Sequence, residues 1–323
     1  MAKHISIDLG TSNTVIAEQN MGVVLNEPSL AAIDLKTNRL VAVGNEAKTL
    51  LGKTPKDIRV AAPVKNGAIS DFDIANAMLK AFITGTFPKS TIRPKATICV
   101  PENITEVEKI ALFECVVRSG AKNAYTQETS VSSAIGAGID VLSPLGNMIL
   151  DIGGGKACAT VLSFGGIVST TTKDCGGIKM DEAIASYIKK NYGIKIGKKT
   201  AEEIKNSIGA CKKHDKTFTA MGRDEISGLP KEVTITSEDV YYAISPHLFE
   251  IVDLIKLTLE NTPSELTRDI CQNGICLVGG VSCLLGLDKF IEKNVGINTY
   301  ISKTPLECAA TGAVEWFDRG DVK

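Results

Sequence analysis

Short, β-rich apolar runs alternate with amphipathic helical stretches along this chain, and the alternation predicts an α/β architecture with largely parallel or mixed sheets. Two helices stand out. The stretch NITEVEKIALFECVVRSG opens on a capping box from Thr105 to Glu108, carries apolar positions at Val107, Ile110, Ala111 and Cys115, and stops at Gly120. The stretch SEDVYYAISPHLFEIVDLIKLTLENTP opens on Ser237 and two acids and lines up Val240, Ile244, Leu248, Ile251, Ile255 and Leu259 on one face. It is expected to bend at Pro246 and to end before Pro263.

The apolar pattern also repeats. HISIDLGTSNTVIAEQNMGVVL can be laid against NMILDIGGGKACATVLSFGGIVS as apolar strand, Asp-x-Gly turn, second apolar strand, glycine turn and third apolar strand. Two such copies about 140 residues apart predict two halves of common ancestry. We expect a first lobe over residues 1–140 and a second over 141–323. Polar stretches at about 31–62 and about 177–235, the latter holding the lysine-rich KKNYGIKIGKKTAEEIKNSIGACKKHDK, read as smaller outer insertions, one on each lobe.

Composition narrows the class. With 44% hydrophobic and 23% charged residues, the 323-residue chain suffices for two lobes, each with its own core. A net charge of −1 gives no field that would draw it to phosphodiester backbones, so nucleic acid is not expected as a partner. MAKHISIDLG enters a candidate strand without the basic and apolar regions of a signal peptide, and no run of 18 or more apolar residues offers a membrane span. A cytoplasmic location is expected. The nine cysteines form no CxxC pair and no metal-like spacing, and most sit in apolar segments, as Cys99, Cys276 and Cys308 do; they read as buried, reduced thiols.

The candidate chemistry lies in three glycine turns. In Asp8-Leu9-Gly10-Thr11-Ser12-Asn13-Thr14, a hairpin of small residues can point successive backbone N–H groups at phosphate oxygens, with the Thr11 and Ser12 hydroxyls adding donors. Asp8, at a strand end, could hold a hydrated Mg²⁺ against those phosphates. Asp151 with Gly153, Gly154 and Gly155 repeats the arrangement from the other half. The third turn, in ICLVGGVSCLLGLDKFI, places Gly279 and Gly280 between a strand and a helix, where a planar or phosphate-bearing group can approach the backbone. Each turn alone is compatible with an ordinary tight turn; the three together, spread over both halves, point to a nucleotide.

These motifs, with VVLNEPS, LGKTPKDI, KNGAISDFD, VPENITEVEK, AIGAG, MDEAI, SGLPKEV, LENTPSEL and TPLECAATGA, give a chain that resembles the MreB family of bacterial actin homologues over nearly its whole length. The resemblance implies an actin-like fold: two ribonuclease-H-like lobes with two smaller inserted subdomains around a central nucleotide cleft. It implies ATP or ADP with Mg²⁺ in that cleft, and self-assembly into filaments that act in cell shape. It assigns the first phosphate loop to Thr11, Ser12 and Asn13 beside Gly10 and the second to residues 153–155, with Asp8 and Asp151 on the Mg²⁺. Ribose and purine contacts fall on Glu202, Glu203 and Lys205, of which Glu202 and Lys205 would otherwise pass for a solvated helix face. The adenosine loop falls on Gly279, Gly280, Val281, Ser282 and Leu284.

The chain departs from the family at the hydrolytic positions. Where MreB proteins typically read EEPMAAAIGAG it has QETSVSSAIGAG, so an acid becomes Thr129 and the proline Ser130. Where they read DIGGGTT followed by an acid it has Lys156, Ala157 and Cys158. Groups that orient and deprotonate water are typically worth 10²- to 10⁴-fold in rate, so weakened hydrolysis with intact binding is the expectation. Lys156 fits two roles, a point charge on the γ-phosphate or a side chain turned to solvent. A sugar-type kinase and a chaperone ATPase are the alternatives on this fold; the first needs a catalytic base, the second a peptide-binding domain. Lysine-heavy composition together with the lost acids resembles the MreB paralogues of wall-less helical bacteria, so other paralogues join the expected partners and swimming joins the expected roles. For weak peripheral membrane contact the candidate is the loop ITGTFPKSTIRP, with Phe87 and Ile92.

Overall fold

The computed structural model describes residues 4–88, 93–212 and 214–318. Two five-stranded sheets share one topology. The first runs in the order Asn123–Glu128, Lys95–Val100, His4–Leu9, Asn13–Glu18, Gly22–Pro28. The second runs Thr299–Ile301, Ile275–Val278, Asn147–Ile152, Ala157–Ser163, Gly166–Lys173. In each, three consecutive strands form an antiparallel meander and two later strands add in parallel beside the first of them. Antiparallel neighbours need only a tight turn, whereas parallel addition needs a crossover, and the helices Phe72–Thr86 and Glu106–Arg118 flank Lys95–Val100 for that purpose. The repeat in the sequence is therefore a repeat of topology, and it sets Asp8 and Asp151 at matching strand ends, registered on Val15 and Cys158.

Each half also carries a small three-stranded sheet. Ala31–Asp34, Arg39–Val43 and Ile58–Ala61 form one, and Ile194–Lys195, Thr217–Asp224 and Pro230–Thr236 the other. Two large buried clusters form the cores, one around Ile5, Ile7, Leu79 and Ile98, the other around Leu150, Ile184, Ile251 and Leu277. The halves exchange helices. Thr129–Gly136 follows the first sheet in the chain, yet Val131, Ala134 and Ile135 pack with Ile149, Leu162 and Val278 of the second. The last helix, Cys308–Asp318, lays Ala310 and Val314 against Val15 and Ala17 of the first sheet. The two helices touch at Gly136 and Gly312, where an added Cβ would run into the Cys308 and Ser132 carbonyls respectively.

The predicted helices form, with one correction. Glu106–Arg118 has the expected capping box: Glu108 N–H donates to Thr105 Oγ1 at 3.3 Å, and Thr105 N–H to Glu108 Oε2 at 2.8 Å. Its buried face, however, is Leu112, Cys115 and Val116; Val107 and Ile110 are 76% and 59% exposed. The helix has two apolar stripes, and only one meets the sheet. The helix Ser237–Glu260 opens on Ser237 and two acids as expected, and Thr236 before it forms a second capping box with Asp239. Pro246 lies inside it, and the Tyr242 carbonyl that proline leaves without its usual donor accepts from Ser245 Oγ at 3.2 Å; the helix ends at Glu260, before Pro263 as expected. Among the cysteines, six of the nine are buried, while Cys271 and Cys283 are exposed. Phe87 is half-buried against the first core, and Ile92 lies outside the described residues.

Candidate functional site

A cavity of about 510 Å³ opens between the two halves, a volume within the range of small-molecule sites. Its walls include the two matching turns. Gly10 N–H donates to the Asn13 carbonyl at 3.0 Å, and Gly153 N–H to the Lys156 carbonyl at 2.9 Å, so both copies fold into the same closed turn. The turns face each other at close range: a Cβ on Gly154 would collide with Ser12 Oγ, and one on Gly155 would lie 2.9 Å from Thr11 Oγ1. Glycine is needed there for that approach. Thr11 Oγ1 also accepts from Gly67 N–H at 3.0 Å, and Asn13 donates its amide to Asn26 at 2.7 Å. The second turn docks a helix too, since its Gly153 and Gly154 carbonyls accept from Gly177 and Ile178 N–H at the start of Gly177–Tyr192.

Asp8 and Asp151 meet the cavity from the two strand ends. Burial pushes the Asp8 carboxyl up to about 6. Burial, with the charges of Asp8 and Glu102 beside it, pushes Asp151 up to about 7. Two buried carboxylates in a shared cavity, the charge of Asp8 adding to the rise of Asp151, fit a divalent cation, whose charge would relieve the repulsion. Gly279, at φ +81°, holds the adjoining turn against Asp151; a Cβ there would strike Asp151 Oδ1.

The remaining predicted residues divide. Glu202, Lys205, Gly279, Gly280, Val281 and Leu284 line the cavity with the residues above, whereas Glu203 and Ser282 do not. Glu203 is half-exposed, 3.9 Å from Lys199, and Ser282 Oγ donates to the Gly279 carbonyl at 2.6 Å. Glu202 reaches Lys48 of the opposite half at 3.0 Å. Lys205 is held by Asp181 at 2.7 Å and by the Gly177 carbonyl at 3.0 Å. Burial lifts Asp181 to about 6 even though Lys205 pulls it down.

Thr129, Lys156 and Cys158 also line the cavity. Thr129 starts the helix Thr129–Gly136. Behind it lies a buried polar network the sequence did not announce. Ser130 Oγ pairs with Thr160 Oγ1 at 2.8 Å, Thr160 with Thr170 at 2.9 Å, and Cys158 Sγ lies 3.4 Å from each threonine hydroxyl. Burial and the nearby Glu102 charge push the Cys158 thiol up to about 12, so it is protonated and can donate. Glu102, Asp181, Asn66 and Ser133 line the cavity without having been singled out from the sequence. The Ser133 hydroxyl is buried and has no hydrogen-bond partner among the described residues, as expected of a group that faces a polar ligand.

The family profile described as MreB/Mbl protein matches residues 2–321. The cell shape-determining protein Mbl of Bacillus cereus (strain ATCC 10987 / NRS 248) is 40% identical over 314 residues, covering 96% of this chain and 94% of that protein. The crystal structure of MreB5 of Spiroplasma citri bound to ADP superimposes with a TM-score of 0.94 at 36% identity, covering 99% of this chain and 97% of that one; its AMPPNP-bound counterpart gives 0.93. The MamK double helical filament shares the fold, with a TM-score of 0.83 at 19% identity over 98% of this chain and 99% of that one.

Proposed function

The chain belongs to the MreB/Mbl protein family, and on that premise we propose that it is a bacterial actin-like cytoskeletal protein. It binds ATP and ADP in the cleft and assembles with itself into filaments that act in cell shape, hydrolysing ATP slowly. The observation that carries the reading is the pair of matching turns at residues 10–13 and 153–156, which close on one cavity with a strand-terminal aspartate beside each. Backbone N–H groups of the two turns are suited to polyphosphate. Asp8 and Asp151 would hold Mg²⁺ through water, the ion serving to neutralise phosphate charge. Glu202 and Lys205 line the cavity near the adenosine turn of residues 279–284 and are the candidates for the ribose and base. The lobes divide at about residue 140 in this reading, with the helices Thr129–Gly136 and Cys308–Asp318 crossing between them.

Slow hydrolysis follows from Thr129, Lys156 and Cys158 standing at the water-activating positions. Lys156 lines the cavity, its ammonium close enough to Glu108 to help lower that carboxyl's pKa, and in this reading it turns to a γ-phosphate when nucleotide binds. A sugar-type kinase is not favoured, since the family match covers nearly the whole chain and its relatives are cell shape-determining proteins. Further MreB paralogues as partners, a cytoplasmic location and peripheral membrane contact belong to the same proposal; among the described residues no helix is long and apolar enough to cross a membrane. Sedimentation with ATP, ADP and AMPPNP, read alongside phosphate release, tests it. We expect polymer with ATP and AMPPNP and slow release; a chain that pellets equally without nucleotide overturns the reading.

A further inference from the structure

Glu102 follows the strand Lys95–Val100 by two residues and is 9% exposed, its small open surface lining the nucleotide cavity. Both carboxylate oxygens are fixed. Oε1 accepts from Ser130 N–H at 2.6 Å and Oε2 from the Cys158 thiol at 3.6 Å. No lysine or arginine pairs with it among the described residues, so a buried negative charge stands beside a site for anionic phosphates. A helix cap alone would not require that charge, because an amide oxygen also accepts from Ser130 N–H, though less strongly. The contact with Cys158 is informative in a second way. An acid at position 158, as the family resemblance calls for, would project into the space that the Glu102 carboxylate fills from the turn after Lys95–Val100.

We propose that Glu102 is the carboxylate that orients and deprotonates the attacking water in this chain, supplying from position 102 the acid that positions 129 and 158 lack. The proposal rests on the nucleotide reading of the cleft. In the step it serves, the water oxygen forms a bond to the γ-phosphorus while one of its protons passes to a Glu102 oxygen. The bond from that phosphorus to the β,γ-bridging oxygen breaks, its electron pair leaves with ADP, and the proton then passes from Glu102 to solvent. The buried Ser133 hydroxyl on the same cavity wall is a further hydrogen-bonding group for water. The charge of Glu102 is felt at this point, since it contributes to the raised pKa of both Asp151 and Cys158.

Glu102→Gln separates this role from that of a cap, because glutamine keeps an acceptor for Ser130 N–H but is no base. Phosphate release per polymerised subunit is expected to fall about 10²-fold, while affinity for a fluorescent ATP analogue holds or rises as a charge repelling phosphate is removed. A merely structural residue would weaken binding and melting temperature together. Adding Cys158→Asp to Glu102→Gln returns a carboxylate to the same space and should restore at least a tenth of the parent rate. If Glu102→Gln fails to fold, Glu102→Asp carries the test, with slower release at unchanged ATP affinity as the expected result. Release at the parent rate by a folded, ATP-bound Glu102→Gln or Glu102→Asp overturns the assignment and leaves the cleft reading standing. A parent chain that binds no ATP overturns the cleft reading, and this assignment with it.

Discussion

At the residue scale, the acidic pair in the cleft has a pH signature. The folded, ligand-free chain holds Asp8 near 6 and Asp151 near 7, both above the ordinary carboxylate value of about 3.9. A pKa raised by folding contributes stability that is complete below about 4 and is lost as pH rises through the folded values. The ligand-free chain should therefore lose stability between about pH 4 and 7, and Mg²⁺ with nucleotide should restore it once both groups are ionised. We expect Mg²⁺ to strengthen ATP binding little at pH 5.5 and strongly at pH 8, on the order of tenfold per pH unit while a carboxylate still has to ionise. Asp151→Asn should flatten that dependence and stabilise the ligand-free chain at pH 8. Titration of a fluorescent ATP analogue with and without Mg²⁺ across this range checks both; an unchanged profile in Asp151→Asn would remove Asp151 from the metal. The two Asp-Gly turns were legible in the sequence because each fits within seven residues and dictates its own backbone. Glu102 was not, since its partners Ser130 and Cys158 are 28 and 56 residues away and only the packed strands bring them together.

At the scale of elements, what could be read depended on whether the signal was local. The capping box of Glu106–Arg118 needs only Thr105 and Glu108, and it forms as written. The buried face needs a partner, and periodicity alone did not tell which of two apolar stripes would meet the sheet. Val107 and Ile110 fall on the outer stripe, so their exposure follows from the position of the sheet rather than from any weakness of the helix. Cap and face can be told apart by mutation. Thr105→Ala removes the acceptor for Glu108 N–H and should cost about 1 kcal/mol of stability. Val107→Ser should cost less than about 0.5 kcal/mol, because no core contact is lost. Urea melts of the two variants measure the difference; a large loss from Val107→Ser would mean that this stripe is covered in solution. At Pro246 the signal is local again: the neighbouring Ser245 hydroxyl bonds the Tyr242 carbonyl that the proline leaves open.

At the scale of the whole molecule, the repeat in the sequence announced two sheets of one topology, while the exchange of helices between them left no local trace, because Gly136 and Gly312 acquire their meaning only where the two helices meet. The exchange joins the halves through apolar helix packing, and polar contacts join them as well. Lys48 meets Glu202 at 3.0 Å, Asn66 donates to Asp174 at 3.1 Å, and Asn103 donates to Thr172 at 3.2 Å. Glu202 lines the cavity, so the Lys48–Glu202 pair ties the two halves together beside the nucleotide site. Lys48 also holds a side chain that is a candidate for the ribose, so the ion pair both joins the halves and competes for Glu202. A partly exposed pair of this kind contributes about 0.5–1 kcal/mol, which corresponds to roughly a two- to fivefold change in a rate that requires its rupture. Lys48→Gln should therefore speed release of a fluorescent ADP analogue by that factor at low salt. High salt should speed release from the parent chain but have little further effect on the variant, since the screened interaction is already gone. Slower release from Lys48→Gln would carry the opposite meaning: that freeing Glu202 strengthens its contact with the nucleotide more than breaking the pair weakens retention. Stopped-flow measurements at two ionic strengths distinguish the outcomes, and equal rates for parent and variant at both would show that the pair does not govern the cleft.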